Sequence, residues 1–501
     1  MPVAIVAVAI ALIAMPHDDR GPTDDGYLYA IYTDSESNLD VIDVYESHMV
    51  DGKATALSQR YRASDGAGGI NESWKFNVKT GKGPFGAFYA AINLLDDGPL
   101  YDSDDAAEKR RSVSVGAVAY ILDPSDLSRT LAGHRFSPGL YNAMLVVPTV
   151  YWLSEKAVAG KTEGNLVEGT KYNVLYLSSS PSYAPQGHGE VSGMKPYAHS
   201  ASTVPGRTDF ETHVYPYLGI GVYESYATVV GDAAGPGKLV SQSGRIPASD
   251  LDVDEFKDLA DALEPAEGAG LRSDYQQWNF YQWTLYKMMC YAVMGSKNSQ
   301  VMLGSGYTQG NQSCAVTGST DAVGFAGTAE STRSASGATS SEDGRTSSKL
   351  FIENGWGSLN IFVGDAYVAG EAPSAQRLYA GNCLGGEKLL EARGQPPTTL
   401  TWADIFATGE AHRVISGTSA ESALWDAPTS SDANRSAYTD PRYPGDIVNA
   451  SEKGVSSITV GGRWDNAHYA GVSFACAGYD IALKNEYRGA RLAYLMSEDA
   501  F

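Results

Sequence analysis

One segment constrains the fold more than any other. From Ser273 to Met294 the chain reads SDYQQWNFYQWTLYKMMCYAVM. Ser273, with Gln276 three residues on, has the form of a helix capping box, and Gly295 suits a left-handed C-terminal cap. Trp278, Tyr281, Leu285, Met288, Met289 and Ala292 form a helical stripe, and aromatic residues occupy much of the remaining circumference. A helix that is apolar on most sides cannot face water, so it must be the central buried helix of its domain. Core packing accounts for the stripe without a cofactor. A shorter helix precedes it, about Val253 to Leu263, with Val253, Phe256, Leu259, Ala260 and Leu263 on one face and Pro265 at its end.

The 501 residues supply ample material to enclose such a helix. Hydrophobic residues make up 43% and charged residues 19%, as in a globular protein. Asp and Glu number 59 against 37 Lys and Arg, a formal charge of −22. That balance repels phosphate backbones and argues against a nucleic-acid partner. The densest basic run, Lys109-Arg110-Arg111, follows Asp104, Asp105 and Glu108. The 54 Gly and 31 Tyr lean towards a β-rich extracellular binding protein, in which Tyr gives contact area at low entropic cost. The four cysteines, Cys290, Cys314, Cys383 and Cys476, are too few for a disulfide scaffold and lack zinc spacing. A Cys314–Cys383 pairing stays open.

Met1 to Met15 carry no charge and are too short for a comfortable membrane span. Residues 1–16 read as a signal peptide or a truncated membrane anchor, the only route by which the chain would meet a membrane. Residues 25–131 read as a β-rich N-terminal module of short strands and turns, Ser112 to Leu122 being strongly β-prone. A second domain is expected over 136–495. Within it, 308–349 is a Gly/Ser/Thr-rich loop.

The most specific signal lies near the C-terminus. Gly461-Gly462-Arg463-Trp464 is followed, about two dozen residues later, by Arg488-Gly489-Ala490-Arg491-Leu492. Upstream stand Ile352-Glu353-Asn354-Gly355-Trp356-Gly357-Ser358, the Asn298-Ser299-Gln300 and Gly304-Ser305-Gly306 segments, and Val147-Pro148-Thr149-Val150-Tyr151-Trp152. In this order the segments resemble the formylglycine-generating-enzyme-like (sulfatase-modifying factor) domain, including its phage-tail and diversity-generating surface members. The resemblance implies an α+β, C-type-lectin-like fold: two helices flanking a twisted antiparallel sheet. In it Trp356, Trp464, Arg491 and Glu353 are structural, with Arg491 set against a buried carboxylate for which Glu353 is the candidate.

The family's oxidases bind copper through two cysteines shortly after the Gly-Gly-x-Trp strand, because Cu(I) needs soft thiolates. Here Trp464 is followed by Asp465-Asn466-Ala467-His468-Tyr469, and the only cysteine nearby is Cys476. Copper-dependent oxidase chemistry is therefore not expected. Trp464-Asp465-Asn466 superficially resembles the Trp-Asn-Asp of sugar-binding C-type lectins, but the companion loop that completes a calcium site is absent. No HExxH, nucleophile elbow or P-loop occurs, so no catalytic residue, metal or cofactor is assigned.

Between Trp464 and Arg488 polar and aromatic residues alternate with small ones, and alternate strand residues face opposite ways. Asp465, Asn466, His468, Tyr469, Ser473, Phe474, Tyr479 and Asp480 are the candidate contact residues, in the segment that carries the varied positions of diversity-generating relatives. The expectation is a non-catalytic ligand-binding protein, extracellular, on the cell surface or on a virion. Its partner would be a protein or glycan ligand on another cell or particle. The alternatives are an enzyme on the same scaffold and a tail-tip or surface-layer component.

Overall fold

The computed structural model describes residues 26–34, 41–62, 76–93, 119–135, 141–201, 213–228, 237–263, 274–297, 299, 303–308, 313–321, 350–370, 377–380, 401–407, 413–416, 448–449, 454–466 and 470–496. The apolar start, most of the 308–349 loop and Cys383 lie outside them. Among the described residues, no disulfide joins Cys290, Cys314 and Cys476. No helix among the described residues is long and apolar enough to cross a membrane.

Three sheets dominate. The first has six strands in the order Lys53–Ala54, Val41–Val50, Tyr27–Asp34, Lys171–Ser178, Tyr151–Val158, with Ser58–Arg62 also beside Val41–Val50. The second has seven, in the order Asp274–Gln277, Leu492–Met496, Tyr217–Gly221, Tyr141–Pro148, Phe88–Asn93, Ala119–Asp123, Asp126–Thr130. The third has eight and is built on Asn360–Gly370, Gly454–Val460 and Ala475–Asp480, with Arg488–Gly489 running parallel to Asn360–Gly370. The first and second sheets both pair strands from before residue 131 with strands from after residue 136.

Helix α1 spans Val253–Asp261 and α2 spans Phe280–Met294. Asp252 caps α1 in a full capping box with Glu255. The capping box of α2 is Asn279 with Gln282, six residues later than the Ser273–Gln276 pair suggests. The displaced residues, Asp274–Gln277, are an edge strand on Leu492–Met496, so a partner distant in sequence outcompetes the local helix signal. Gly295 ends α2 in the left-handed region (φ 62).

The expected α+β arrangement of two helices flanking one twisted antiparallel sheet does not hold. The described residues are mostly β, in three large sheets and two two-stranded ladders, and α2 is enclosed rather than flanking. All fifteen of its residues are buried. Its side chains share one apolar core with Tyr29 and Ile31 of the first sheet, Tyr89 and Leu145 of the second, and Ile361 and Val363 of the third. A helix with no polar stripe gains most from being covered on every side, at roughly 1.5–3 kcal/mol per large side chain removed from water. α1 packs its Val253, Phe256 and Ala260 into a second cluster with Tyr275, Phe362 and Tyr494.

Candidate functional site

The candidate face begins where the Gly454–Val460 strand stops. Gly461 and Gly462 both have positive φ (85 and 80), which turns the chain sharply. A Cβ on Gly462 would come within 2.6 Å of the Ala470 Cβ, so the close approach also requires glycine. The turn that follows is self-bonded. The Arg463 N–H donates to Asn466 Oδ1 and the Asn466 N–H to the Arg463 carbonyl, both at 2.9 Å. The Arg463 guanidinium grips Asp465, with Nη2 donating to Oδ2 at 3.1 Å. Burial lowers the Arg463 pKa, but the Asp465 bond and charge outweigh it and hold the pKa above its usual value.

Trp464 is half-buried against the core, and its main-chain N–H donates to the Ser358 carbonyl at 2.9 Å. Its ring faces Tyr487 at 5.3 Å, and Arg463 lies 4.0 Å from the centre of the same Tyr487 ring. Beside this stack, Tyr479 is 38% exposed, and the Arg488 guanidinium lies 4.4 Å from its ring centre. Two tyrosines, a tryptophan and two arginines thus alternate across one patch. Cation–π and stacking contacts of this kind hold rings in place without consuming their exposed faces.

The eight sequence candidates divide. Asp465, Tyr479 and Asp480 are exposed and Asn466 is half-buried, but Asp480 also accepts the Ala482 N–H at 2.8 Å in a tight turn. Ser473 and Phe474 are buried, and Ser473 Oγ hydrogen-bonds the Tyr291 hydroxyl of α2. His468 and Tyr469 lie outside the described residues. Sequence reasoning passes over Arg463 and Arg488 as contact residues, and Tyr487, one of the segment's polar aromatics, is not among its eight candidates. In the sequence both arginines stand only as parts of motifs, and the rings they meet, Tyr487 for Arg463 and Tyr479 for Arg488, are set by the fold.

Of the four residues assigned to structure, Trp464 lies half-buried at the face, and Trp356, Arg491 and Glu353 form a separate, deeper group. Trp356 is buried and donates from Nε1 to the Gly304 carbonyl at 2.9 Å. Arg491 is fully buried and donates to four main-chain oxygens, those of Gly221 (2.8 Å), Val222 (3.1 Å), Glu353 (2.9 Å) and Asn354 (2.8 Å). The Glu353 carboxylate instead accepts the Gly318 and Thr320 N–H groups at 2.7 and 2.8 Å. The carboxylate whose charge acts most on Arg491 is Glu224, buried and accepting the Leu359 N–H at 3.0 Å. Burial pushes the Glu224 carboxyl up to about 7, against the pull of Arg491. Among the described residues, no three or more His, Cys, Asp or Glu side chains are grouped so that they could hold a metal ion.

No family model matches the chain, and no curated protein matches it. The formylglycine-generating-enzyme-like resemblance therefore has no family match behind it. Among solved structures the chain is similar to the Major Tropism Determinant P3c variant, at 12% identity and a TM-score of 0.25. The U1 and I1 variants follow at 11% each, with TM-scores of 0.24 and 0.23. Each comparison covers 93% of this chain and 86% of the other. Likeness this distant leaves fold and function to be read from the residues themselves.

Proposed function

We propose that this chain is a non-catalytic ligand-binding protein, secreted or displayed on a cell or particle surface, which recognises a protein or glycan on another cell or particle. The observation that supports this reading is the patch of Trp464, Tyr479, Tyr487, Arg463 and Arg488 on a rigid β frame. Aromatic and arginine side chains dominate recognition surfaces because they bury much area at little entropic cost. Glycine turns and main-chain hydrogen bonds fix the frame, so binding requires little ordering.

The test is binding of the purified chain to a glycan array and to a panel of intact cells, read by fluorescence. Tyr479→Ala should weaken any binding found at least tenfold while leaving the melting temperature within a few degrees. Binding that is unaffected by Tyr479→Ala and by Trp464→Ala would place the contact surface elsewhere.

A further inference from the structure

Arg488 lies at the base of this face, 1% exposed. None of its three guanidinium nitrogens has a hydrogen-bond partner. Its surroundings are the rings of Tyr479 at 4.4 Å and Phe362 at 5.9 Å. An arginine cannot relieve its burial by losing a proton. Cation–π contact compensates only part of the lost hydration. The neighbouring cations are answered: Arg463 has Asp465, and Arg491 has four carbonyl oxygens. Burial lowers the Arg488 pKa; Cys476 and Tyr479 act against that shift, and the like charge of Arg463 adds to it. Of the two rings against Arg488, that of Tyr479 belongs to an exposed residue.

We propose that Arg488 anchors an anion subsite that takes the carboxylate of a carboxylated sugar, admitted when the Tyr479 ring swings aside. The planar guanidinium fork matches a carboxylate in bidentate geometry. The exposed Tyr479 ring, 4.4 Å from the guanidinium, offers a flat face to the C–H face of a pyranose, which favours a sugar over an acidic peptide. A chain of net charge −22 repels anions in general, so an anion bound here is held by a local site. The inference rests on the proposed recognition role of this face and names the chemistry that it takes.

The experiment is calorimetric and thermal-shift titration of the full chain with glucuronate, glucose, acetate, sulfate and a glutamate-rich peptide. Glucuronate should raise the melting temperature saturably and bind at least tenfold tighter than acetate, sulfate or the peptide, with glucose inert. Arg488→Met should abolish the response while its melting temperature without ligand stays within a few degrees of wild type. Arg488→Lys keeps the charge but loses the fork, and should fold normally and weaken glucuronate at least fivefold; it carries the test if Arg488→Met does not fold. Equal responses to glucuronate and glucose, or an undiminished response in either variant, would overturn the proposal. Preference for the peptide or for simple anions would overturn the sugar assignment. If glucuronate fails while Tyr479→Ala still abolishes binding to cells, the subsite falls and the recognition face stands. If glucuronate binds through Arg488 while face variants leave cell binding intact, the subsite stands and the recognition role falls.

Discussion

Arg488 and Arg491 stand three residues apart, both buried, and their surroundings are opposites. Arg491 is wrapped in main-chain oxygens from two loops, at 2.8–3.1 Å, with Glu224 close enough to act on its charge. Arg488 is wrapped in rings. A cation whose two terminal nitrogens are both answered from within, as those of Arg491 are, ties the molecule together. A cation left unanswered contributes little to the folded state and is free to answer something from outside. Burial alone therefore does not separate architecture from recognition; the census of acceptors does.

The sharpest way to break this contrast is Arg491→Met. It should cost about 4 kcal/mol or more in chemical denaturation, because four buried carbonyls lose their donors and Glu224 loses its countercharge. A loss below about 1 kcal/mol would remove the distinction.

Next in size is a pH effect through Glu224. Burial raises its carboxyl pKa from 4.5 to about 7, so the folded state holds a proton that the unfolded chain releases first. Its contribution is full below pH 4.5 and is lost as pH rises to 7, a change of about 3 kcal/mol over the window. Subtracting the stability–pH curve of Glu224→Gln from that of wild type should isolate this slope. A flat difference would show that Glu224 titrates as an ordinary carboxylate.

The smallest effect should be that of Arg488→Met, within about 1 kcal/mol of wild type and of either sign, since replacing an unpaired buried charge by an apolar side chain is often neutral or stabilising. A loss matching that of Arg491→Met would mean that the rings alone make Arg488 structural.

The central helix was legible because Phe280–Met294 offers no polar stripe to solvent, and that property depends only on local sequence. Its start was not, because Ser273–Gln276 and Asn279–Gln282 both carry capping chemistry, and pairing to Leu492–Met496 decided between them. The α+β expectation failed for a related reason: which sheets close around a buried helix depends on long-range pairing. At the candidate face, alternation predicted exposure for half of a long segment. The strand proper is only Ala475–Asp480, and its first three residues are covered on both faces. Exposure begins at Tyr479, where the covering ends. Ser473 and Phe474 precede the strand in a turn packed under α2. Nothing near Arg488 or Arg491 in the sequence indicates which of them will meet carbonyl oxygens, because those oxygens come from around residues 221 and 353.

Leu492–Met496 occupies an interior position in the second sheet, between Asp274–Gln277 and Tyr217–Gly221. During synthesis, that slot stays empty until residues 492–496 have left the ribosome, more than 200 residues after Asp274–Gln277. Until then the apolar Phe280–Met294 segment lacks part of its covering, and two strand edges stand open. The second sheet should therefore close all at once, and an arrest before residue 492 should yield a sticky, chaperone-bound product instead of a shorter native one.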